Sequence, residues 1–225
     1  MALNIVLFDC DGTLVDSQHM IVATMTEAFA RMGLPAPDRD GVLGIIGLSL
    51  PEAVDKLHPG LDADVIEKTA AAYRTTYTEQ QFRLSETAPL YPGVREALDL
   101  LAAEPDMLLG IVTGKSRRGL DAILATHGLT DLFSVLRTAD DGPSKPHPFM
   151  VVDAVSALGG DLANTVVVGD TGFDMAMARS AGARALGVSW GYNTVAELEA
   201  TGAEVIAHRF DEVPALALKL LGKEG

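Results

Sequence analysis

The sequence predicts an α/β protein, a doubly wound parallel sheet with an all-helical unit inserted after its first strand. Three observations carry this reading. Ile5–Phe8, Met107–Val112 and Thr165–Val168 are nearly unbroken apolar runs, as expected for parallel strands covered on both faces. Each stops abruptly at polar residues, Asp9-Cys10-Asp11, Thr113-Gly114-Lys115 and Gly169-Asp170. From about residue 86 onward such runs alternate with helical spacing, whereas residues 15 to 85 show helical spacing alone.

In chain order, the first strand ends in two carboxylates one residue apart, then Gly12-Thr13. If strand geometry persists to Asp11, Asp9 and Asp11 project to one side and Cys10 to the other. Ser17 is the expected N-cap of a helix carrying Ile21, Met25, Ala28, Phe29 and Met32, closed by Gly33-Leu34-Pro35. Residues 35–43 read as a polar connection. The segment from Leu43 to Leu50 is apolar with two glycines, and Pro51 suits the first turn of a helix to about His58. A long helical pattern (Val65, Ile66, Ala70, Tyr73, Tyr77) covers residues 62–84, and Tyr91-Pro92-Gly93 opens another through Leu101. After the strand at 107–112, a helix with Leu120, Ile123 and Leu124 ends at His127-Gly128, and Leu132–Val135 is a short strand candidate. Residues 140–148 read as a loop, followed by a helix at 149–158, the strand at 165–168 and a helix at about 173–181. Arg184–Val188 and, more weakly, Ala203–Ile206 close the sheet. The core is thus Rossmann-like.

Composition narrows the partners. The 225 residues suffice for one sizeable domain with an insert, and 48% hydrophobic content with a mean hydropathy of +0.22 indicates a well-buried fold. No apolar run reaches the roughly 20 residues that span a bilayer, and Met1–Ile5 enters a strand without a leader pattern. The single cysteine excludes an intramolecular disulfide, which fits a cytoplasmic location. Cys10 reads as a small spacer, with no histidine nearby in sequence to act as its base. Lys and Arg number 17 against 31 Asp and Glu, a net charge of −14 that disfavours nucleic acid and anionic membranes as partners. An anionic substrate then needs local compensation from a metal ion and a lysine.

Ligands of open parallel sheets bind beyond the carboxyl ends of the strands. Standing there are Asp9 and Asp11, then Thr113-Gly114, then Lys145 in a loop, then Asp170 and Asp174. Singly these are weak signals, since an acid after a strand is often a helix cap. Together they supply oxygen ligands for Mg²⁺, a carboxylate nucleophile, and cationic and hydrogen-bonding groups for phosphate oxygens.

Asp9-x-Asp11-Gly-Thr-Leu-Val-Asp16-Ser17, Thr113-Gly114, Lys145-Pro146 and Gly169-Asp170-x-x-x-Asp174 resemble the four motifs of the haloacid dehalogenase superfamily over essentially the whole chain. The insert resembles the helical cap of its phosphoglycolate phosphatase and β-phosphoglucomutase branch. The resemblance implies a catalytic core of residues 1–14 and 86–225 and a cap domain of residues 15–85, moving at linkers near residues 15 and 86. It implies a phosphatase acting on a small phosphorylated metabolite, with phosphoglycolate as the default and pyrophosphate, sugar phosphates and nucleotide monophosphates open. Asp9 would attack phosphorus, and Asp11 would protonate the leaving oxygen and then activate water. Thr113 and the amide of Gly114 would hold phosphoryl oxygens, and Lys145 would offset their charge. Mg²⁺ would be held by Asp9, the main-chain carbonyl of Asp11 and Asp170, with Asp174 orienting Lys145 or a metal-bound water.

Asp11 argues against a dehalogenase, which resembles these proteins but lacks the second acid. The cap contains only Lys56 and Lys68, neither on its first helix, which disfavours a phosphonatase and its Schiff-base lysine. A phosphomutase shares the core residues. The loop Gly44–Leu50 is expected to face the site, where it offers Ser49 to substrate but no arginine for a second phosphate. His19, just past the acidic turn, reads as a surface or hinge residue. A non-catalytic binding or regulatory protein would commonly have lost one of Asp9, Asp11, Lys145 or Asp170, and all are present.

Overall fold

A computed structural model describes residues 3–84 and 88–223. Six strands form one parallel sheet: β1 (Asn4–Phe8), β2 (Met107–Val112), β3 (Val135–Arg137), β4 (Thr165–Gly169), β5 (Arg184–Val188) and β6 (Val205–Ala207). Their order, β3-β2-β1-β4-β5-β6, reverses direction between β1 and β4, which makes the carboxyl edge there the natural ligand site of a doubly wound sheet.

Alternation along β1 shows why its apolar run is unbroken. Val6 and Phe8 join one buried cluster, with Leu98 and Leu101 of α5 (Val94–Ala102) and Leu120 and Leu124 of α6 (Arg117–His127). Ile5 and Leu7 join the opposite cluster, with Met150 and Val151 of α7 (Phe149–Ala157) and Met175 and Ala178 of α8 (Gly172–Ala181). Both faces of the strand are therefore dry, and alternating polarity would fail on either.

Four helices lie between β1 and α5 in sequence: α1 (Gln18–Arg31), α2 (Arg39–Leu43), α3 (Leu50–Leu57) and α4 (Ala63–Leu84). They share a third apolar cluster that includes Met25, Phe29, Val42, Val54 and Tyr73. The chain leaves and re-enters the core side by side. Val15 bridges antiparallel to Leu90, the Asp16 N–H donates to the Pro89 carbonyl at 2.9 Å, and the Tyr91 N–H donates to the Leu14 carbonyl at 3.0 Å. The second expected linker, near residue 86, lies outside the described residues.

The structure departs from the sequence reading in several places. Residues 35–43 are not merely a connection, because α2 forms there with the Asp38 carboxylate accepting from the Gly41 N–H. The strand expected at Leu132–Val135 begins only at Val135, since Thr130–Leu132 is a 3₁₀ turn. Ser17 precedes α1 but makes no side-chain cap; its hydroxyl is engaged elsewhere. Two further helices, α9 (Val195–Thr201) and α10 (Val213–Leu220), flank β6. Among the described residues no helix is long and apolar enough to cross a membrane.

Gly110 in β2 leaves no room for a side chain. A Cβ there would fall 2.5 Å from Val135 Cγ1 and 2.7 Å from Leu7 Cδ2, both on neighbouring strands. Gly110→Ala is expected to lower stability by about 1–3 kcal/mol through overpacking, read as a reduced midpoint in urea unfolding. An unchanged midpoint would show that the sheet spreads freely at this point.

Candidate active site

Strand register assembles the site. Phe8 pairs with Ile111 of β2 and Val168 of β4, so the residues that follow, Asp9, Thr113 and Asp170, emerge close together at the same edge. The Asp9 N–H donates to the Val168 carbonyl at 2.9 Å and the Thr113 N–H to the Arg137 carbonyl at 3.0 Å, fixing both backbones just beyond the strands. Cys10 turns the other way into the core, where burial pushes its thiol well above the ordinary range.

Lys145 reaches this edge from the loop before α7 and is 1% exposed. Its ammonium lies 2.8 Å from Asp9 Oδ1 and donates to Asp174 Oδ1 at 2.6 Å. Both oxygens of Asp174 are engaged, because its Oδ2 accepts from the Thr171 hydroxyl at 2.6 Å and the Thr171 N–H at 3.1 Å, closing a capping box on α8. Asp170 is held from both sides, with Oδ1 accepting from the Thr13 hydroxyl at 2.8 Å and Oδ2 from the Tyr192 N–H at 2.9 Å. Gly12 permits this approach. It sits at φ 87°, and a Cβ there would meet Asp170 Oδ2 at 2.3 Å and Tyr192 Cε2 at 2.5 Å.

Neither carboxylate oxygen of Asp9 accepts a hydrogen bond among the described residues, since the Lys145 contact is an ion pair outside hydrogen-bond geometry. Asp9, Asp170 and Asp174 are all buried, and each offers an oxygen within 4.8 Å of the others. Burial pushes the Asp9 carboxyl up to about 6; Lys145 pulls it down, and Asp174 and Asp11 add to the rise. Burial, then Asp174 and Asp9, hold the Asp170 carboxyl well above the usual carboxylate range. Burial opposes the charge on Lys145, yet Asp174 and Asp9 together carry its pKa above the ordinary lysine value. Three buried acids with one ammonium leave negative charge uncompensated, and hard oxygen donors of this kind suit a divalent cation. The donor set therefore fits such an ion.

Asp11 stands outside this acidic cluster. Its carboxylate accepts from the Lys115 ammonium at 2.8 and 2.9 Å and from the Ser17 hydroxyl at 2.6 Å. Burial alone would lower the Lys115 pKa, but Asp11 carries it well above its usual value. Lys115 also lies 5.0 Å from the centre of the Tyr77 ring, so it joins the core to α4. Thr113 is 1% exposed and its hydroxyl accepts from the Lys115 N–H at 3.2 Å. Gly114 abuts the loop before α3, where a Cβ would fall 2.5 Å from the Gly47 carbonyl oxygen.

The structure places the expected residues unevenly. Asp9, Lys145, Asp170 and Asp174 form one buried cluster; Asp11, Thr113 and Gly114 line the adjoining cavity. Ser49 is spent on structure. Its hydroxyl donates to Glu52 Oε2 at 2.8 Å in the α3 capping box, and its N–H donates to Ser144 Oγ at 2.8 Å. His19 is exposed. Sequence reasoning passed over Lys115, although a lysine two residues after a strand-end hydroxyl is a visible signal. It also read Ser17 only as a cap, and it did not single out Tyr192, which follows β5 and is joined to Asp170 only by the fold.

The cavity beside this edge measures about 910 Å³ and lies between the strand ends, the loop before α3 and helices α1, α3, α4 and α6. Its core end carries Asp9, Asp11, Thr113 and Lys115.

The family model described as haloacid dehalogenase-like hydrolase matches residues 6–188. A probable phosphatase, IndB, of Dickeya dadantii (strain 3937) is 37% identical over 96% of this chain and 94% of its own length. Pyrophosphatase PpaX of Bacillus pumilus (strain SAFR-032) is 35% identical over 84% of each chain. The crystal structure of a predicted phosphoglycolate phosphatase from Haemophilus somnus 129pt superposes with a TM-score of 0.81 at 27% identity, covering 95% of this chain and 97% of that one. With the acidic strand-end cluster, the buried lysine and a match across most of its length, the chain belongs to the haloacid dehalogenase-like hydrolase family.

Proposed function

We propose that this hydrolase is a Mg²⁺-dependent phosphatase that cleaves a phosphate monoester through an aspartyl-phosphate on Asp9. The observation that carries the reading is the Asp9 carboxylate itself: buried, free of hydrogen bonds, and flanked by Lys145 at the switch point of the sheet. A carboxylate so placed is costly as structure and useful as a nucleophile.

In the first step an Asp9 oxygen bonds to phosphorus and the bond from phosphorus to the alcohol oxygen breaks. Asp11 gives the leaving oxygen its proton. In the second step water attacks the phosphorus, Asp11 takes a proton from that water, and the bond from phosphorus to Asp9 breaks, restoring the carboxylate. The Thr113 hydroxyl and the Gly114 N–H hold phosphoryl oxygens, and Lys145, positioned by Asp174, balances charge on Asp9 and the phosphate. Asp9, Asp170 and the main-chain carbonyl of Asp11 would hold the cation, which when bound screens phosphate from carboxylate. The helical unit at residues 15–85 acts as a cap that turns about the paired segments at Leu14–Asp16 and Pro89–Tyr91. Ser17 and Lys115 orient Asp11.

A second reading, phosphoryl transfer within a sugar phosphate, draws on Arg74 and Arg118. Both line the cavity and supply the cationic groups that the loop before α3 lacks. Release of inorganic phosphate at the rate of ester loss favours the hydrolase; an isomeric phosphate ester as the only product favours the mutase.

Asp9→Asn is expected to lower phosphate release by about 10⁴-fold or more, since it removes the nucleophile while keeping the shape. Trapping of a base-labile phosphoryl adduct on the wild-type chain, absent in this variant, locates the intermediate. A variant that still turns over within tenfold of wild type refutes the assignment.

Proton linkage gives a separate expectation. Asp9 binds its proton more tightly in the folded chain (about 6) than at its ordinary 3.8, so metal-free protein loses this contribution to stability as pH rises through that window. A divalent cation competes with the same proton. The rise in melting temperature on adding Mg²⁺ is expected to grow between about pH 5 and pH 7.5, whereas a rise independent of pH would place the ion elsewhere.

A further inference from the structure

The cavity is divided by polarity. Its core end is the polar edge already described; the helical unit builds an apolar stretch of wall from Ile21, Met25, Ile45, Ile46, Leu50 and Tyr73, with Arg74 and Thr78 of α4 and Arg118 of α6 at its margin. The space is not a gap left by an undocked cap. The Gly47 carbonyl is packed against Gly114, and the Ser49 N–H donates to Ser144 of the core at 2.8 Å, so these surfaces already touch. With them in contact the cavity still holds about 910 Å³. That lies near the upper end of the roughly 300–1,000 Å³ typical of sites that enclose drug-sized ligands.

Phosphoglycolate and pyrophosphate are small and charged throughout, so either would fill the core end and leave the apolar wall against water. An occupant that satisfies both ends has a phosphate and a bulky, largely apolar body. Tyr77 adds a polar requirement. It lines the cavity and is 8% exposed, and its buried hydroxyl makes no well-formed hydrogen bond among the described residues, the Lys115 ammonium being the group within its reach. A buried hydroxyl left with so little pairing is uncommon in a folded protein, and a polar ligand group beside it would complete its hydrogen bonding. The rings of Tyr73 and Tyr77 stand 6.1 Å apart at 22°, a flat pair on α4 that suits a planar ring.

Building on the phosphatase reading, we infer that the substrate is a phosphate monoester of a ring-bearing alcohol. Its ring lies against the apolar wall of the helical unit, and one polar ring substituent or ring nitrogen pairs with the Tyr77 hydroxyl.

The test measures phosphate release by the full chain with Mg²⁺ from phosphoglycolate, pyrophosphate, 1-naphthyl phosphate, uridine 5′-monophosphate and pyridoxal 5′-phosphate. At least one ring-bearing ester is expected to exceed both small substrates by tenfold or more in kcat/KM, mainly through a lower KM. For an ester with a polar ring atom, Tyr77→Phe is expected to reduce that preference at least threefold, again through KM. A preference of less than tenfold, or one for phosphoglycolate or pyrophosphate, overturns the inference and leaves the phosphatase reading intact. An unchanged preference in Tyr77→Phe overturns the role of the hydroxyl. No release from any of the five, by a folded chain that still binds Mg²⁺, overturns the inference and the phosphatase reading together.

Discussion

The ammonium of Lys145 stands between Asp9 and Asp174 out of reach of water, and the architecture of the site follows from keeping it there. A lysine so buried is tolerable only while both acids are charged and close, and each acid is tolerable only because of the lysine. Asp174 gives one oxygen to Lys145 and the other to the first turn of α8, so the helix start and the charge network are one construction. Asp170 is tied to the turn after β1 through Thr13 and to the loop after β5 through Tyr192. What remains without a well-formed hydrogen bond is Asp9, the carboxylate proposed as the nucleophile.

Much of this was legible in the chain because it follows from short-range rules. Dry parallel strands give continuous apolar runs, and the acids, hydroxyl and amides that end them fall at one edge whatever the loops do. The helices of the insert declared themselves by spacing. What escaped was set by distance or by competition. α2 and α9 are short, and the side-chain caps that start them, on Asp38 and Thr194, are common features of turns as well. β3 starts late because the Leu129–Leu132 turn takes the residues just before it. Ser17 has the sequence of a cap, but its backbone (φ −104°, ψ 1°) lies outside the extended region a capping residue adopts, and its hydroxyl donates to Asp11 instead. Lys115 meets Asp11 across a separation of 104 residues, and Tyr192 meets Asp170 only through the order of the strands, so no local pattern announces either contact.

The two halves of the molecule divide the work by polarity. The core gathers charge, and its hydrogen bonds are short, buried and largely saturated. The helical unit offers the cavity an apolar stretch and a tyrosine pair, with Arg74 and Thr78 beside them and the cationic contact from Lys115 to Tyr77 at the seam. Under the proposed function, such a division would let a fixed reaction centre serve different alcohols, because the surface meeting the alcohol would belong to other elements than the surface meeting the phosphate.

The side-by-side exit and return of the insert bears on how the chain reaches this state. β1 is the centre of the sheet, yet its partners begin at Met107 on one side and Thr165 on the other, so none of its pairings is local. A segment of that length between β1 and β2 would ordinarily make their meeting slow. The bridge from Val15 to Leu90 closes the loop at its neck, and the insert has its own apolar cluster with which to collapse. Once that has happened, β1 and α5 are neighbours in all but sequence number. Were the insert to fold first, a unit that contributes no strand to the sheet would deliver its central strand.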